Sequence, residues 1–329
     1  MSDSSASVDW PFERLPQFDA ADTPSLTAAW SDSAKQIRRL RELMHSLPDT
    51  VACAAVSGSL ARMESHAQSD IDLIVVLDDR CDDIPEEAAS RVFSGIWDRL
   101  DTMRAVRPKF GGIYSICARW TDLVDPVARG RIDESIITFG HRIQLLMDAQ
   151  PIHGDDTLID LRTEILRWYS ETRLADIFRE AGPFHWLWHD VQRYWRSLRA
   201  RTCWLDADDP CKSLALNVKL RSSRLVLVFG FLHSIATVQT ASHEESLILE
   251  LVARLRRTPI ERLFGNGGAD AQTGLASYDR VWDFLRTNAA NSATELPPEV
   301  IAALDELALA VQQVTLREKN GADLRPWFM

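Results

Sequence analysis

Two aspartates placed one residue apart at the start of an apolar run constrain this chain most. The stretch Val56–Asp79, VSGSLARMESHAQSDIDLIVVLDD, carries Asp70 and Asp72 ten residues after a Gly-Ser pair. Side chains alternate between the two faces of a strand, so both carboxylates share one face while Ile71 and Leu73 point to the other. The run therefore predicts a strand that presents two carboxylates at one rigid edge.

The Gly-Ser pair, Gly58 and Ser59, follows a short apolar run that we expect to be a buried strand. Glycine lets a backbone turn sharply or approach a bulky group closely. Backbone N–H groups and a hydroxyl in such a turn can hold phosphate oxygens, and Mg²⁺ prefers one or two carboxylates together with substrate phosphates. The turn and the aspartates therefore indicate a nucleoside triphosphate site. The alternative is an ordinary turn before an edge strand whose two aspartates are solvated.

The residues around this pattern extend it. The run GSLARMESHAQSDIDL is similar to the bacterial form GS-x-AR-x-E…SD-[IL]-DL, with Arg62, Glu64 and Ser69 at the matching positions. Gly-Ser, ten residues and Asp-x-Asp resemble the signature of the nucleotidyltransferase superfamily. That superfamily includes DNA polymerase β, the poly(A) polymerases, the aminoglycoside nucleotidyltransferases and the adenylyltransferase families of toxins and antitoxins. The resemblance covers roughly residues 50–155.

The resemblance implies an enzyme that transfers a phosphoryl group with the help of two metal ions. Asp70 and Asp72 would hold Mg²⁺ or Mn²⁺ and orient the α-phosphate, while Gly58 and Ser59 would grip the β- and γ-phosphates. The reaction implied is transfer of a nucleoside monophosphate from an NTP to an acceptor hydroxyl, with release of pyrophosphate. AMP from ATP is the expected case.

A third carboxylate is often present on a later strand in this superfamily, where it helps to hold the metal and can serve as a base. Asp148 is the first candidate for a catalytic and metal-binding role, because it ends a strand that we expect from Arg142 to Asp148. Asp122 and Asp125, in RWTDLVDP, are the rivals. Each of the three could instead be a solvated turn residue.

Cations in the second half are the candidates for phosphate contacts. LALNVKLRSSRLVLVFGFLH is apolar around its whole circumference, which predicts a buried helix, and a buried cation needs a partner such as an anionic ligand. By resemblance to the helical lysine of the polymerases, we expect Lys219 to contact the nucleotide. Arg224, on the same helical stripe as Asn217 and Arg221, is a further candidate. Both arginines could instead pair with acids of neighbouring helices.

The preceding helix offers a second set, because HDVQRYWRSLRAR places His189, Arg193 and Arg196 along one face. Arg193 is the candidate there for contact with phosphate or acceptor, and the alternative is a charged outer face over a tryptophan-rich core. His185 and His189, in HWLWH, could place two imidazoles on one helical face as metal ligands. We favour packing for this pair, because the Glu of the zinc-protease pattern is absent.

The pattern of apolar residues changes near residue 155 and divides the chain into two regions. Residues 1–155 mix strand and helix patterns, and residues 156–329 are nearly all helical. This predicts an α+β fold, in which a small mixed-sheet nucleotidyltransferase core with flanking helices is followed by an all-helical bundle that completes the cleft. Strands are expected at 51–58, 70–79, 113–119 and 142–148. Helices are expected at 26–46, 84–103, 156–181, 183–205, 209–239, 243–257, 276–289 and 298–318, with a loop at 264–274.

Charge and hydropathy limit the partners. The 329 residues carry a net charge of −11, whereas a protein that binds nucleic acid regardless of sequence needs a basic footprint. We therefore expect the acceptor to be a small polar molecule or a protein side chain. A tRNA end is the alternative, because a local groove of Arg193, Arg196 and Arg199 would not show in the net charge.

Other classes of protein are disfavoured by the sequence. No apolar segment approaches the roughly 20 residues of a membrane span, and the start MSDSSASVDWPFERLPQ lacks the regions of a signal peptide, so we expect a cytoplasmic protein without membrane contact. The five cysteines form no C-x-x-C pair, which argues against a disulfide framework or a thiolate zinc site. A regulatory module that binds nucleotide but does little chemistry is the alternative function.

Overall fold

A four-stranded mixed sheet lies in the first half of the chain. The structure, a computed structural model, describes residues 21–66, 69–103, 105–109, 111–128, 131–170, 184–204, 209–238, 244–288 and 294–317. The strands are β1 (Val51–Ser57), β2 (Asp72–Leu77), β3 (Ala118–Arg119) and β4 (Gln150–His153), in the order β3-β2-β1-β4. β1 is antiparallel to β2 and β4, and β2 is parallel to β3. The expectation of a small mixed sheet is confirmed.

Helices make up most of the remaining described chain. Those in the first half are α1 (Pro24–Leu43), α2 (Gly58–Ala61), α3 (Glu86–Leu100), α4 (Trp120–Leu123), α5 (Ile136–Met147) and, across the expected boundary, α6 (Asp155–Ser170). Those that follow are α7 (His185–Trp204), α8 (Pro210–Arg221), α9 (Ser223–Val238), α10 (Glu244–Leu255), α11 (Pro259–Phe264), α12 (Ala269–Asn288) and α13 (Pro298–Arg317). None of these helices is both long enough and apolar enough to cross a bilayer.

The two central strands are buried on both faces, which explains why they read as continuous apolar runs. Cys53 and Ile74 belong to a core cluster shared with α5, α6, α9 and α10. Their neighbours Ala54 and Leu73 point the other way, into a cluster shared with α1 and α3. The first cluster contains residues from both sides of residue 155, and the expected domain boundary there stays a prediction.

The strand expected from Arg142 to Asp148 is wrong. This segment is the end of helix α5, which begins after Ser135, whose side chain accepts from the backbone N–H of Thr138. Every residue of α5 from Phe139 onward is buried, so its apolar pattern has no period that would distinguish helix from strand. The true strand, β4, follows at Gln150–His153 and contains Pro151.

Two other expected elements differ in extent. The long helix at 209–239 is divided at Ser222, whose φ of −125° and ψ of −94° are not helical and whose hydroxyl donates to the carbonyl of Val218. Serine side chains compete with the helical hydrogen bonds in this way. The loop expected at 264–274 is limited to 265–268, because α12 already begins at Ala269. The strand expected at 113–119 is reduced to Ala118–Arg119.

The outer edge of the sheet at β4 is covered by α1. The guanidinium of Arg41 donates to the carbonyl of Pro151 at 3.1 Å and forms two hydrogen bonds with the carboxylate of Asp155, at 2.7 and 2.9 Å. Pro151 is suited to this position because β4 pairs with β1 on one side only, and a proline has no N–H for a ladder on its other side.

Two buried arginines stabilise the C-terminal end of α5. Arg162 of α6 donates to the carbonyls of Leu145 and Ala149, and Arg262 of α11 donates to the carbonyl of Met147 at 2.6 Å. The last carbonyls of a helix have no partner within the helix. The two guanidinium groups supply those partners and complement the negative end of the helix dipole.

We predict that Arg162→Leu lowers the free energy of unfolding by about 3 kcal/mol, because buried carbonyls lose their donors. Arg167→Leu is the matched control on the same helix, since Arg167 forms an exposed ion pair with Glu245 and such pairs contribute about 0–1 kcal/mol. Urea unfolding of both variants measures the difference. Equal losses in the two variants would contradict the capping role.

Candidate active site

The two aspartates of the sequence motif lie at the start of β2. Asp72 is the first residue of the strand and pairs in register with Ser57, the last residue of β1. Asp72 is half-buried and Asp70, two residues earlier, is exposed. Neither carboxylate forms a hydrogen bond or an ion pair with any residue that the structure describes. Two carboxylates without partners in the described chain therefore lie at the N-terminal end of β2.

Gly58 allows the chain to turn directly against these acids. Its φ of +70° lies in the left-handed region, and a Cβ at this position would lie 2.2 Å from Oδ2 of Asp72. Any other residue would clash with the carboxylate in addition to being strained. The hydroxyl of the next residue, Ser59, is half-buried and has no hydrogen-bond partner within the described chain. The expected turn and Asp72 are thus in contact.

Asp148 lies on the other side of the same turn. Its carboxylate accepts from the hydroxyl of Ser57 at 2.8 Å, the backbone N–H of Gly58 at 3.2 Å and the guanidinium of Arg62 at 2.8 Å. It is 2% exposed. Asp148 was expected at a strand end, but it directly follows helix α5. Its two oxygens hold the turn in place and are not directed into open space.

The rival third acids lie elsewhere. Asp122 is in α4, within electrostatic range of Asp79 and Arg119, and Arg119 pairs in register with Leu77 at the far end of β2 from Asp72. Asp125 accepts from the backbone N–H of Val127, as a turn residue. Neither side chain contributes to the acids around Gly58.

The electrostatic field at Asp72 disfavours its negative charge. Burial is the largest cause, and the charges of Asp148 and Asp70 add to it, so that the pKa of Asp72 rises from 3.8 to about 7. The cations Arg62 and Lys219 act in the opposite direction. Like charges held close together raise a carboxyl pKa in this way. The site therefore has a net preference for a proton or a metal cation.

Lys219, from the helical half, lies within electrostatic range of Asp70 and Asp72, and Arg224 lies within range of Lys219; neither cation has a partner among the described residues. Lys219 is on α8, and its pKa is lowered by burial and by the charges of Arg62 and Arg224, while Glu64 and Asp70 raise it. Arg224 is on α9, and burial is the largest cause that lowers its pKa. Neither forms a hydrogen bond or an ion pair within the described chain. Both remain candidates for binding an anion.

Two other candidate cations, Arg193 on α7 and Arg221 on α8, are engaged elsewhere. Arg193, expected to contact phosphate, lies 3.7 Å from the carboxylate of Glu134 and 4.0 Å above the ring of Phe139, so the structure gives no support to its phosphate role. Arg221 forms an ion pair with Asp305 at 2.8 Å. This is the alternative that the sequence left open for such residues.

The histidine pair of α7 consists of His185 and His189. The Nε2 atoms of His185 and His189 are 3.1 Å apart. Within the described residues, no group of three or more His, Cys, Asp or Glu side chains is arranged to hold a metal ion. Asp70, Asp72 and Asp148 form no such group either, because the carboxylate of Asp148 is turned toward its three donors. The donor set for a divalent cation therefore consists of Asp70 and Asp72.

Tyrosines from other parts of the chain complete the site, and no motif or spacing in the sequence indicated them. Tyr114 donates to the side-chain oxygen of Gln144, which also accepts from Ser57 at 3.1 Å. Burial and the charges of Asp72 and Asp148 raise the pKa of Tyr114. The same causes raise the pKa of Tyr194 to about 12. Both phenols are therefore protonated at neutral pH and able to donate.

A buried chain of polar contacts links the helical half to the turn. The hydroxyl of Tyr278, on α12, donates to Glu64, and Glu64 accepts from Nε of Arg62 at 3.0 Å. The other side of the Arg62 guanidinium binds Asp148. Burial raises the pKa of Glu64, and its two donors counteract the effect. The motif residues Arg62 and Glu64 thus connect α12 to Asp148 through buried hydrogen bonds.

Comparison with known proteins adds no assignment. No family model matches the chain, and no curated protein matches it. The site therefore has to be interpreted from its own geometry.

We predict that Asp72→Asn stabilises the metal-free protein at pH 8 by about 1–3 kcal/mol. A folded-state pKa of about 7 against an ordinary value of 3.8 means that the folded protein binds this proton more tightly than the unfolded chain does. The stabilising contribution is complete below pH 3.8 and is lost as pH rises through about 7. Thermal unfolding with a chelator, from pH 5 to 8, measures the trend.

Asp70→Asn is the matched control for this experiment, because Asp70 is exposed. We expect its unfolding temperature to follow that of the unchanged protein at every pH. If Asp72→Asn gives no more stability at pH 8 than at pH 5, the electrostatic description of the site is wrong.

We predict that Tyr278→Phe and Glu64→Gln are coupled in a double-mutant cycle. Each variant removes a buried hydrogen bond and should cost about 1–2 kcal/mol of unfolding free energy. The double variant should cost less than the sum, with an interaction energy of about 1 kcal/mol. Additive losses would show that the contact between the two side chains contributes nothing of its own.

Proposed function

We propose that the protein is a metal-dependent nucleotidyltransferase, which transfers a nucleoside monophosphate from an NTP, with ATP as the expected donor, to an acceptor hydroxyl and releases pyrophosphate. One observation carries the proposal. Two carboxylates without partners in the described chain, Asp70 and Asp72, lie within electrostatic range of Lys219, which has no partner there either and is itself within range of Arg224. A metal-bound triphosphate satisfies both pairs together, because its metal binds the acids and its phosphates bind the cations.

The residues present suit a hard divalent cation. Burial, followed by the charges of Asp148 and Asp70, raises the pKa of Asp72, and Mg²⁺ or Mn²⁺ would offset this cost because carboxylate oxygens are ligands that these ions prefer. Asp70 and Asp72 would hold the ion. When bound, the ion supplies charge neutralisation at the α-phosphate and the pyrophosphate leaving group.

The chain itself provides the phosphate contacts. The N–H of Gly58 already donates to Asp148, whereas the hydroxyl of Ser59 has no partner within the described chain and is available to donate to a phosphate oxygen. Lys219 and Arg224 would bind the β- and γ-phosphates, where negative charge accumulates as the bond to the α-phosphate breaks. The ammonium and guanidinium groups stabilise that charge more strongly because they are half-buried.

Asp148 is assigned a positioning role in this mechanism. Its carboxylate accepts three hydrogen bonds, so the turn that carries Gly58 and Ser59 is fixed before the nucleotide binds. Preorganised donors cost no reorganisation during the reaction. Tyr194 is protonated and can orient the acceptor or the α-phosphate by donating a hydrogen bond, whereas the hydroxyl of Tyr114 already donates to Gln144.

A second candidate function is a nucleotide-binding regulatory module with little chemistry. The observation that favours it is that the carboxylate of Asp148 already accepts hydrogen bonds from Ser57, Gly58 and Arg62. A third carboxylate that is held in this way is a poor base for an acceptor hydroxyl. The two functions predict the same nucleotide binding and differ in whether label is transferred.

The charge of the chain favours a small polar acceptor or a protein hydroxyl over a long RNA. The net charge is −11, and phosphate backbones require a basic surface. Arg196 and Arg199 are exposed on α7, and a tRNA end that contacts them is the alternative acceptor.

We predict that α-labelled ATP and Mg²⁺ or Mn²⁺ give label transfer to an acceptor in a cell extract, and that Asp70→Asn/Asp72→Asn abolishes it. Lys219→Met should weaken binding of the metal–ATP complex about tenfold or more, which is about 1.4 kcal/mol or more. Lys212→Met is the matched control, because Lys212 is exposed on the same helix.

The outcomes separate the candidates. Transfer to a small solute, a protein or an RNA identifies the acceptor class. Metal-dependent ATP binding without any transfer supports the regulatory module. No ATP binding, or equal binding by the Lys219 and Lys212 variants, overturns the proposed site.

A further inference from the structure

A cavity of about 390 Å³ lies away from the acids, between α3, β3 and α5. It reaches Leu77, which is five residues further along β2 than Asp72. At about 3.3 Å per residue, this separates the two positions by roughly 16 Å. The volume is within the range of about 300–1,000 Å³ that is typical of small-molecule sites. Apolar side chains, including Ala89 and Phe93, form part of its lining.

A buried histidine offers this cavity a hydrogen-bond acceptor. His141 lines the cavity and is 1% exposed. Its Nε2 contacts the carbonyl of Ile113, and because a carbonyl can only accept, Nε2 carries the proton and Nδ1 has a lone pair. Burial lowers the pKa of His141 to about 4, so the ring is neutral. Within the described chain, Nδ1 has no hydrogen-bond partner.

The charges around the cavity are mainly negative. Glu86 and Asp122 line it together with one cation, Arg119. Arg119 is already engaged, because its guanidinium lies 3.6 Å from both Glu86 and Asp83 and also donates to the carbonyl of Ile84. The cavity therefore presents acceptors and excess negative charge beside an apolar surface. A ligand that complements it carries donors and a positive charge.

We propose that this cavity is a second binding site, which takes a small organic ammonium ion whose charged end contacts Glu86 and His141 and whose apolar part packs on Phe93. The site does not depend on the proposed nucleotidyl transfer, and its test involves no nucleotide. The two sites differ in the charge of the group they bind. The cavity takes a cation, whereas Lys219 and Arg224 would bind the anionic phosphates of a nucleotide.

Cys117 provides a reporter inside the cavity, since it lines the wall and its thiol contacts the carbonyl of Ala89 at 3.8 Å. The folded protein is treated with cystamine, bis(2-hydroxyethyl) disulfide or 3,3′-dithiodipropionate. Burial raises the pKa of the Cys117 thiol to about 12, so the exchange is followed until Cys117 is labelled, and the thiolate fraction cancels in the ratio of two reagents at one cysteine. In each exchange the thiol of Cys117 loses its proton, the thiolate attacks one sulfur, a mixed disulfide forms, and the other half leaves as a thiolate that takes up a proton. The three reagents are similar in size and differ in charge, so their ratio reports the preference of the cavity.

Cys81 is the internal control. It is exposed and is followed by Asp82 and Asp83 in the sequence. Its ratio of adducts therefore gives the preference for a cationic reagent that exposed acids produce when solvent and salt screen them. We expect the yield of the cystamine adduct relative to the hydroxyethyl adduct to be at least fivefold higher at Cys117 than at Cys81, with the dithiodipropionate adduct the weakest. Peptide mass spectrometry quantifies each site. Equal ratios at the two cysteines would overturn the proposal.

Paired variants identify the source of the preference. Glu86→Gln should reduce the ratio at Cys117 to that at Cys81, and Glu87→Gln, an exposed neighbour outside the lining, should leave it unchanged. Free 2-phenylethylamine should slow cystamine labelling of Cys117 but not of Cys81, and neutral 2-phenylethanol should protect less. Equal protection by the two compounds, or a preference that survives Glu86→Gln, would refute an ammonium site.

Discussion

One buried carboxylate, that of Asp148, holds together segments that are far apart in the sequence. It accepts from the end of β1, from the turn that follows and from Arg62. A buried charge without partners would cost several kcal/mol, so the three donors and the carboxylate fix one another. Since Gly58 is one of the donors and lies against Asp72, the position of Asp72 depends on the buried carboxylate of Asp148.

The helical half supports this arrangement from behind. Arg162 and Arg262 bind the last carbonyls of α5, and Asp148 is the residue that follows this helix. Tyr278 acts from another direction, through Glu64 and Arg62. These contacts explain why buried polar groups occur in an otherwise apolar interior. They are paired, and each pairing restrains the turn or the carboxylate beside it.

Local patterns in the sequence predicted the central strands and the acids, but not what surrounds them. Alternation predicted a strand that carries Asp72, where β2 begins, whereas Asp70 lies before β2, so strand geometry does not set the direction of its side chain. The segment before Asp148 was predicted incorrectly, because a helix that is buried all round has no period to read. Tyr114, Tyr194 and Tyr278 could not have been found, since their place at the site depends on long-range packing and not on spacing. Arg62 and Glu64 were found only through the resemblance.

The clamp of Arg41 on Pro151 restricts how this sheet can associate with other chains. A strand added beside β4 would need the carbonyl that Arg41 occupies and an N–H that Pro151 lacks. The opposite edge is β3, which is two residues long. A peptide strand therefore cannot pair with β4, and β3 is too short to pair with more than a few of its residues. A protein that presents a hydroxyl to this site would have to be recognised through its side chains.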